Sequence, residues 1–120
     1  MQRQRHMPIG YMLVDGKVEI DTKKSEVIKK IFNVYMKGSS IRKIAEDLTA
    51  RGFPNANNKP SWNHGSIGRI LENTKYLGDE IYEQIIDEET FQAAQKQRKL
   101  RGKQYSRTHE IINRKRKAYL

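Results

Sequence analysis

Cationic and amide side chains recur on two neighbouring segments, residues 40–51 and 63–73, whose apolar residues fall at helical spacing. Arginine can donate two hydrogen bonds to guanine, asparagine can bond adenine twice, and any lysine or arginine can contact a phosphate. Two helices that pack through their apolar faces and expose such groups suit the major groove of DNA. The sequence therefore predicts these DNA-contacting residues: Arg42, Lys43, Lys59, Asn63, His64, Ser66 and Arg69.

Several of these residues also have a structural interpretation, which the sequence leaves open. Asn63 can cap a helix with its side chain and never touch a base. Arg69 can be a solvated surface residue. Arg42 and Lys43 fall in a first helical turn, where a cation opposes the helix dipole, and that conflict favours a phosphate partner. Trp62 can stack on a base, although packing beside the helix that it precedes is the better interpretation.

Both ends of the chain are basic. Residues 1–7 carry Arg3 and Arg5 without periodicity, so we expect a flexible arm that can lie in a narrow, A·T-rich minor groove. An arm without any DNA contact is an equal alternative. At the other end, Glu110 is the one acidic residue from Lys96 onward, against ten lysines and arginines. That tail can bind a polyanion or can simply be solvated.

Other kinds of chemistry find little support in the sequence. Asp87, Glu88 and Glu89 are adjacent, which suits the first turn of a helix better than a facing pair of carboxylates. The three histidines lie far apart, no serine has an activating neighbour, and cysteine is absent. We therefore expect no active site, no metal and no cofactor in this segment. No apolar run approaches the roughly 20 residues of a membrane span, so we expect a cytoplasmic protein without a membrane partner.

The periodicity predicts a mainly helical fold with a small N-terminal β-hairpin, of the α+β class, containing a helix-turn-helix-like pair. Asp15 and Gly16 predict the turn of that hairpin. The other predicted elements are strands at 11–14 and 17–20, a short strand or extended link at 80–85, and four helices. The helices are predicted from Asp21 or Thr22 to Gly38, over 40–51, from Ser61 or Asn63 through Leu71, and onward from Asp87. About ten residues separate the helix pair, more than the three or four of a standard helix-turn-helix.

A set of short motifs occurs in a distinctive order between residues 7 and 78. They are Met7-Pro8-Ile9-Gly10-Tyr11, Ile31-Phe32, Tyr35, Gly38-Ser39, Ile44-Ala45, Leu48, Gly52, Trp62, Ile70-Leu71, Asn73 and Tyr76-Leu77-Gly78. Together with the spacing up to residue 101, this set resembles the recombinase domain of large serine site-specific recombinases. That family includes phage integrases and transposon recombinases.

The resemblance implies the DNA-binding middle part of a serine recombinase from a bacterium or phage, which binds duplex DNA at half of an attachment site. It implies that the nucleophilic serine belongs to a separate N-terminal domain, and that the parent is oligomeric on DNA. The implied organisation is a basic arm at 1–7, a DNA-binding domain at 8–101, and a basic tail or truncated linker helix at 102–120. A stand-alone helix-turn-helix transcriptional regulator and a protein-interaction module are the alternatives.

Overall fold

A computed structural model of the chain describes residues 7–102. The contacts predicted for Arg3 and Arg5, and the basic tail, lie outside the described residues. The fold begins with an antiparallel hairpin of β1 (Tyr11–Val14) and β2 (Lys17–Ile20). Both residues of its turn have positive φ, as the Asp-Gly pair predicts, because this turn type matches the twist of the strands.

Three helices follow the hairpin, and a side chain caps the start of each. They are α1 (Thr22–Met36), α2 (Ile41–Ala50) and α3 (His64–Glu72). The N-caps Asp21, Ser40 and Asn63 each accept a hydrogen bond from the backbone N–H three residues later. A short 3-10 helix follows α3 at Thr74–Leu77.

A fourth helix, α4, begins at residue 88 and runs to residue 102, the last described residue. The connection before it, including residues 80–85, consists of bends and turns and forms no strand. The predicted mainly helical fold with an N-terminal hairpin is therefore confirmed. No helix within residues 7–102 is long and apolar enough to cross a bilayer.

One hydrophobic core joins these elements. It includes Ile28 and Phe32 of α1 and Ile67 and Leu71 of α3, each at most 1% exposed. Removing such large apolar side chains from water is the main favourable term in folding. The same burial fixes how each helix is rotated about its axis, and so decides which side chains face outward.

Candidate nucleic-acid interface

The polar side of α3 faces outward because three apolar positions fix its rotation. Ile67 and Leu71 are fully buried, and Ile70 is 7% exposed. The residues predicted from the sequence lie on the remaining surface, with Asn63, His64 and Arg69 exposed and Ser66 half-buried. The structure therefore brings these four residues together at one accessible helix.

A capping box defines the start of α3 and occupies two of these side chains. The Asn63 side-chain oxygen accepts a hydrogen bond from the Ser66 backbone N–H at 2.9 Å. The Ser66 hydroxyl accepts from the Asn63 N–H at 3.2 Å and donates to the Asn63 carbonyl at 2.8 Å. The Asn63 amide NH₂ and one lone pair of Ser66 are left for a ligand. The box therefore mainly holds the helix terminus in place.

Gly65 creates the space in which the Arg69 side chain lies. A Cβ atom placed on Gly65 would be 3.5 Å from Arg69 Nη1 and 3.2 Å from Asn63 Oδ1. The guanidinium thus folds back over the first turn of α3, beside the cap. Because a helix N-terminus carries partial positive charge, an anion or a hydrogen-bond acceptor is favoured at this place. A guanine edge or a phosphate oxygen has the complementary chemistry.

A groove of about 430 Å³ runs along this side of α3. Three parts of the chain line it. The segment before the hairpin contributes Met7, Pro8 and Ile9, the α2–α3 loop contributes Ala56 and Asn57, and α3 with the residues after it contributes Ser66, Arg69, Ile70, Asn73 and Tyr76. The floor is apolar and several of the lining side chains are polar. The α2–α3 loop is therefore part of the same surface as the outer face of α3.

Tyr76 holds the segment before the hairpin against this groove. Its hydroxyl donates a hydrogen bond to the Ile9 carbonyl at 2.6 Å, and its ring stacks on Tyr11 with centroids 5.9 Å apart. Burial raises the pKa of Tyr76 far above its usual range, so the hydroxyl remains protonated and donates at physiological pH. Met7, the first described residue, consequently lies beside α3.

The other predicted cations are exposed but lie outside the lining of this groove. Arg42 and Lys43 occupy the first turn of α2, where Lys43 pairs with Asp47 at 3.5 Å between exposed side chains. Such an exposed pair is worth only about 0.3–0.5 kcal/mol, so Lys43 can exchange it for a phosphate. Lys59 is exposed on the α2–α3 loop.

Side chains of α4 support α3 at its C-terminal end. Gln95 donates to the Leu71 carbonyl, and Arg98 pairs with Glu72 at 2.8 Å. Arg98 also lies close to Gly68, where an added Cβ would be 3.4 Å from its Nη2 atom. These contacts join residues about 25 positions apart, and the sequence analysis missed them. Arg98 is therefore a basic residue already engaged within the fold.

The fold and the exposed polar face of α3 define a small helical domain of the helix-turn-helix-like class. The Recombinase family model matches residues 22–101, and the chain belongs to that family. The family resemblance read from the sequence motifs is confirmed. Among the described residues, no group of His, Asp and Glu side chains is placed to hold a metal ion.

Two solved structures share the fold. One is the crystal structure of a complex between a large serine recombinase (LSR) and DNA, with a TM-score of 0.63 and 22% identity, over 79% of this chain and 32% of that one. The other concerns the sequence requirements of the Listeria innocua prophage attP site. It has a TM-score of 0.58 and 23% identity, over 73% of this chain and 40% of that one. This chain thus spans less than half the length of either protein.

Proposed function

We propose that residues 8–101 form the sequence-specific DNA-binding domain of a serine site-specific recombinase, and that its ligand is half of an attachment site. The observation that carries this proposal is the outer face of α3, where Arg69 lies over Gly65 at the edge of a groove. Membership of the Recombinase family supports it, as does a fold shared with a recombinase whose structure contains DNA.

In this proposal α3 enters the major groove and the surrounding cations bind the sugar-phosphate backbone. Base edges are read by Arg69 and His64, while Asn63 and Ser66 hold the helix start and offer their remaining hydrogen-bonding groups. Phosphate contacts come from Arg42, Lys43 and Lys59, and minor-groove contacts from Arg3 and Arg5. Phosphates then supply most of the affinity, and α3 supplies the sequence preference.

Strand cleavage is assigned to another part of the recombinase. In this scheme residues 1–7 are a DNA-binding arm, residues 102–120 are a basic tail or the start of a linker helix, and neither holds a nucleophile. Recombination joins several DNA ends, so we expect the parent to act as an oligomer on DNA in the cytoplasm of a bacterium.

The test compares two arginines that differ only in where they lie. The native chain is used to select duplexes from a randomised library, and the selected and scrambled duplexes are then titrated by mobility shift. Arg69→Ala should lose about 1–3 kcal/mol of the discrimination between these duplexes, because bidentate base contacts have that value. Arg51→Ala removes an equal charge from an exposed residue that lies in a groove between α1 and α2. It should keep the native discrimination.

Two results would contradict the proposal. In the first, the native chain selects no sequence and binds duplexes no better than a neutral protein does. In the second, the Arg69→Ala and Arg51→Ala variants discriminate equally well between selected and scrambled duplexes. Affinity for every duplex should also fall steeply between about 50 and 200 mM salt, because bound phosphates release their counterions.

A further inference from the structure

We infer that the loop at residues 55–59 is a second DNA-reading element, in which Asn57 determines specificity next to Arg69. This inference rests on the proposed function, and adds to it a residue that lies outside the helix pair. The loop accounts for about half of the extra length that separates this pair from a standard helix-turn-helix. Its internal hydrogen bonds and its position beside α3 carry the argument.

One side chain closes the loop into a fixed shape. The Asn55 side-chain oxygen accepts hydrogen bonds from the backbone N–H groups of Asn57, at 2.8 Å, and Lys59, at 3.0 Å. Its NH₂ group donates to the Ser61 carbonyl at 2.7 Å, and its backbone N–H donates to the Lys59 carbonyl at 2.7 Å. Asn55 therefore uses both acceptor sites of its side-chain oxygen and one of its two amide N–H donors within the connection between α2 and α3.

The loop is also held by a contact with α1 and by a hydrogen bond across its base. Asn58 takes a left-handed conformation, with φ of 61°, and its side chain accepts a hydrogen bond from Lys24 of α1 at 3.2 Å. At its C-terminal end, the buried Trp62 donates its indole N–H to the Phe53 carbonyl at 2.8 Å. A loop held at several points presents its remaining side chains with little loss of entropy on binding.

Asn57 is the asparagine of this loop whose side chain has no hydrogen-bonding role within residues 7–102. Asn55 and Asn58 are engaged as described, whereas the Asn57 side chain makes no hydrogen bond to any other residue between 7 and 102 and is exposed. It lines the same groove as Arg69. A carboxamide can bond the N6 and N7 atoms of adenine, as a guanidinium can bond O6 and N7 of guanine.

Duplex DNA is the occupant that fits this combination. An α-helix with side chains is about 10–12 Å across and nearly fills a major groove about 12 Å wide, so the loop meets the DNA at the edge of the groove. There Lys59 can face a phosphate while Asn57 reaches a base pair close to the one that Arg69 reads. Lys59 and Arg69 give this surface the charge that a phosphate backbone needs.

The test is a second selection from the randomised duplex library, made with full-length variants. Asn57→Ala should lose preference at one base position by about 5- to 150-fold, the range of a good base contact, and Arg69→Ala should lose it at a different, nearby position. Asn33→Ala is the matched control, because Asn33 is an exposed asparagine on α1 that lines a separate groove. It should select the native motif.

The substitution should leave the fold intact. The φ angle of Asn57 is not positive, and only its backbone N–H takes part in the loop's hydrogen bonds. Melting temperatures of both asparagine variants should match that of the native chain, and Asn57→Ser, which keeps a turn-forming residue, repeats the selection independently.

If Asn57→Ala and Asn57→Ser both select the native motif at native strength, the loop does not read DNA, while the proposed function stands on Arg69. If the native chain selects no motif, the proposed function itself fails, and this inference fails with it.

Discussion

Two polar connections in this fold are organised by the same pattern of side-chain hydrogen bonds but differ in charge. The first, residues 51–63, joins α2 to α3, and the second, residues 78–87, joins the 3-10 helix to α4. In each, the side-chain oxygen of one residue accepts two backbone N–H groups, Asn55 in the first and Asp79 in the second. A neutral amide organises one connection and a charged carboxylate organises the other.

The two connections differ in charge and burial. The charged side chains of the first are Arg51 and Lys59, whereas those of the second are Asp79, Glu80, Glu83 and Asp87. The second buries two residues in the core, Ile85 and Ile86, whereas the first buries one, Trp62. A polyanion is therefore attracted to the first connection and repelled by the second.

Each connection lies beside a groove, and the two grooves are similar in size. The groove beside α3 has a volume of about 430 Å³ and is lined by Arg69 without any acidic residue, and the groove between α1 and the second connection has about 390 Å³ and is lined by both Lys29 and Asp87. Groove size therefore does not decide which surface can bind DNA. The two linings differ in net charge, because each contains a cation and an asparagine but only the second contains a carboxylate.

The largest expected effect comes from removing the anchor of the first connection. Trp62 is 7% exposed and donates its indole N–H to the Phe53 carbonyl. Trp62→Ala should lower the free energy of unfolding by about 3–5 kcal/mol, because it leaves a cavity and an unpaired carbonyl. Urea denaturation measures this loss. Leu13→Ala, at a side chain that is 62% exposed, should change it by about 0.5 kcal/mol or less.

An equal and small effect of both substitutions would mean that the first connection is not anchored through Trp62. In that case its loop would have to order on binding, and the fixed presentation of Asn57 and Lys59 would not hold.

A smaller effect should distinguish the first connection from the groove that contains Lys29, by the salt dependence of DNA binding. Lys59→Gln removes a cation from the first connection, so the slope of log affinity for duplex DNA against log salt should become shallower by about 0.9. Lys29→Gln makes the same change of net charge at an exposed lysine of the other groove. It should keep the native slope in the same titration.

Equal slopes for the two variants would contradict this contrast. Net charge alone would then govern binding, and the tail outside the described residues would be a sufficient source of affinity.

The local signals in the sequence predicted the elements well. The Asp15-Gly16 turn lies where the sequence placed it, and the caps Asp21, Ser40 and Asn63 are among the candidates that the sequence offered, because each acts on the backbone within three or four residues. Burial of Trp62 was also predicted correctly. Such features need no knowledge of the tertiary structure.

The features that could not be predicted from the sequence depend on contacts between residues far apart in the chain. The placement of Asn57 beside Arg69 follows from the fold of a whole loop, and the Tyr76 bond to Ile9 joins residues 67 positions apart. Arg98 looked like part of a basic tail, and it proves to be paired with Glu72. An amide-rich loop next to a helix that carries Arg69 was the one available signal for Asn57, and it does not say which asparagine of the loop faces the groove.

The smallest expected effect is a response to acid that only the second connection should show. Hydrogen bonds from the Tyr82 and Ile81 backbone N–H groups lower the pKa of Asp79, and bonds from Thr90 lower that of Asp87. A carboxyl group with a lower pKa in the folded state stabilises the protein above its unfolded pKa of about 3.9. This contribution is lost as the pH falls through the folded pKa.

Urea denaturation between about pH 6 and pH 2.5 should therefore show the unfolding free energy falling below pH 4. Asp79→Asn combined with Asp87→Asn keeps an oxygen that can accept the same N–H bonds but carries no charge, so the fall should become shallower. The amide of Asn55 does not titrate in this range, so the first connection should keep its stability while the second loses it. A fall that is equally steep in the double variant would place the acid-sensitive groups elsewhere, and the contrast between amide and carboxylate would lose its energetic basis.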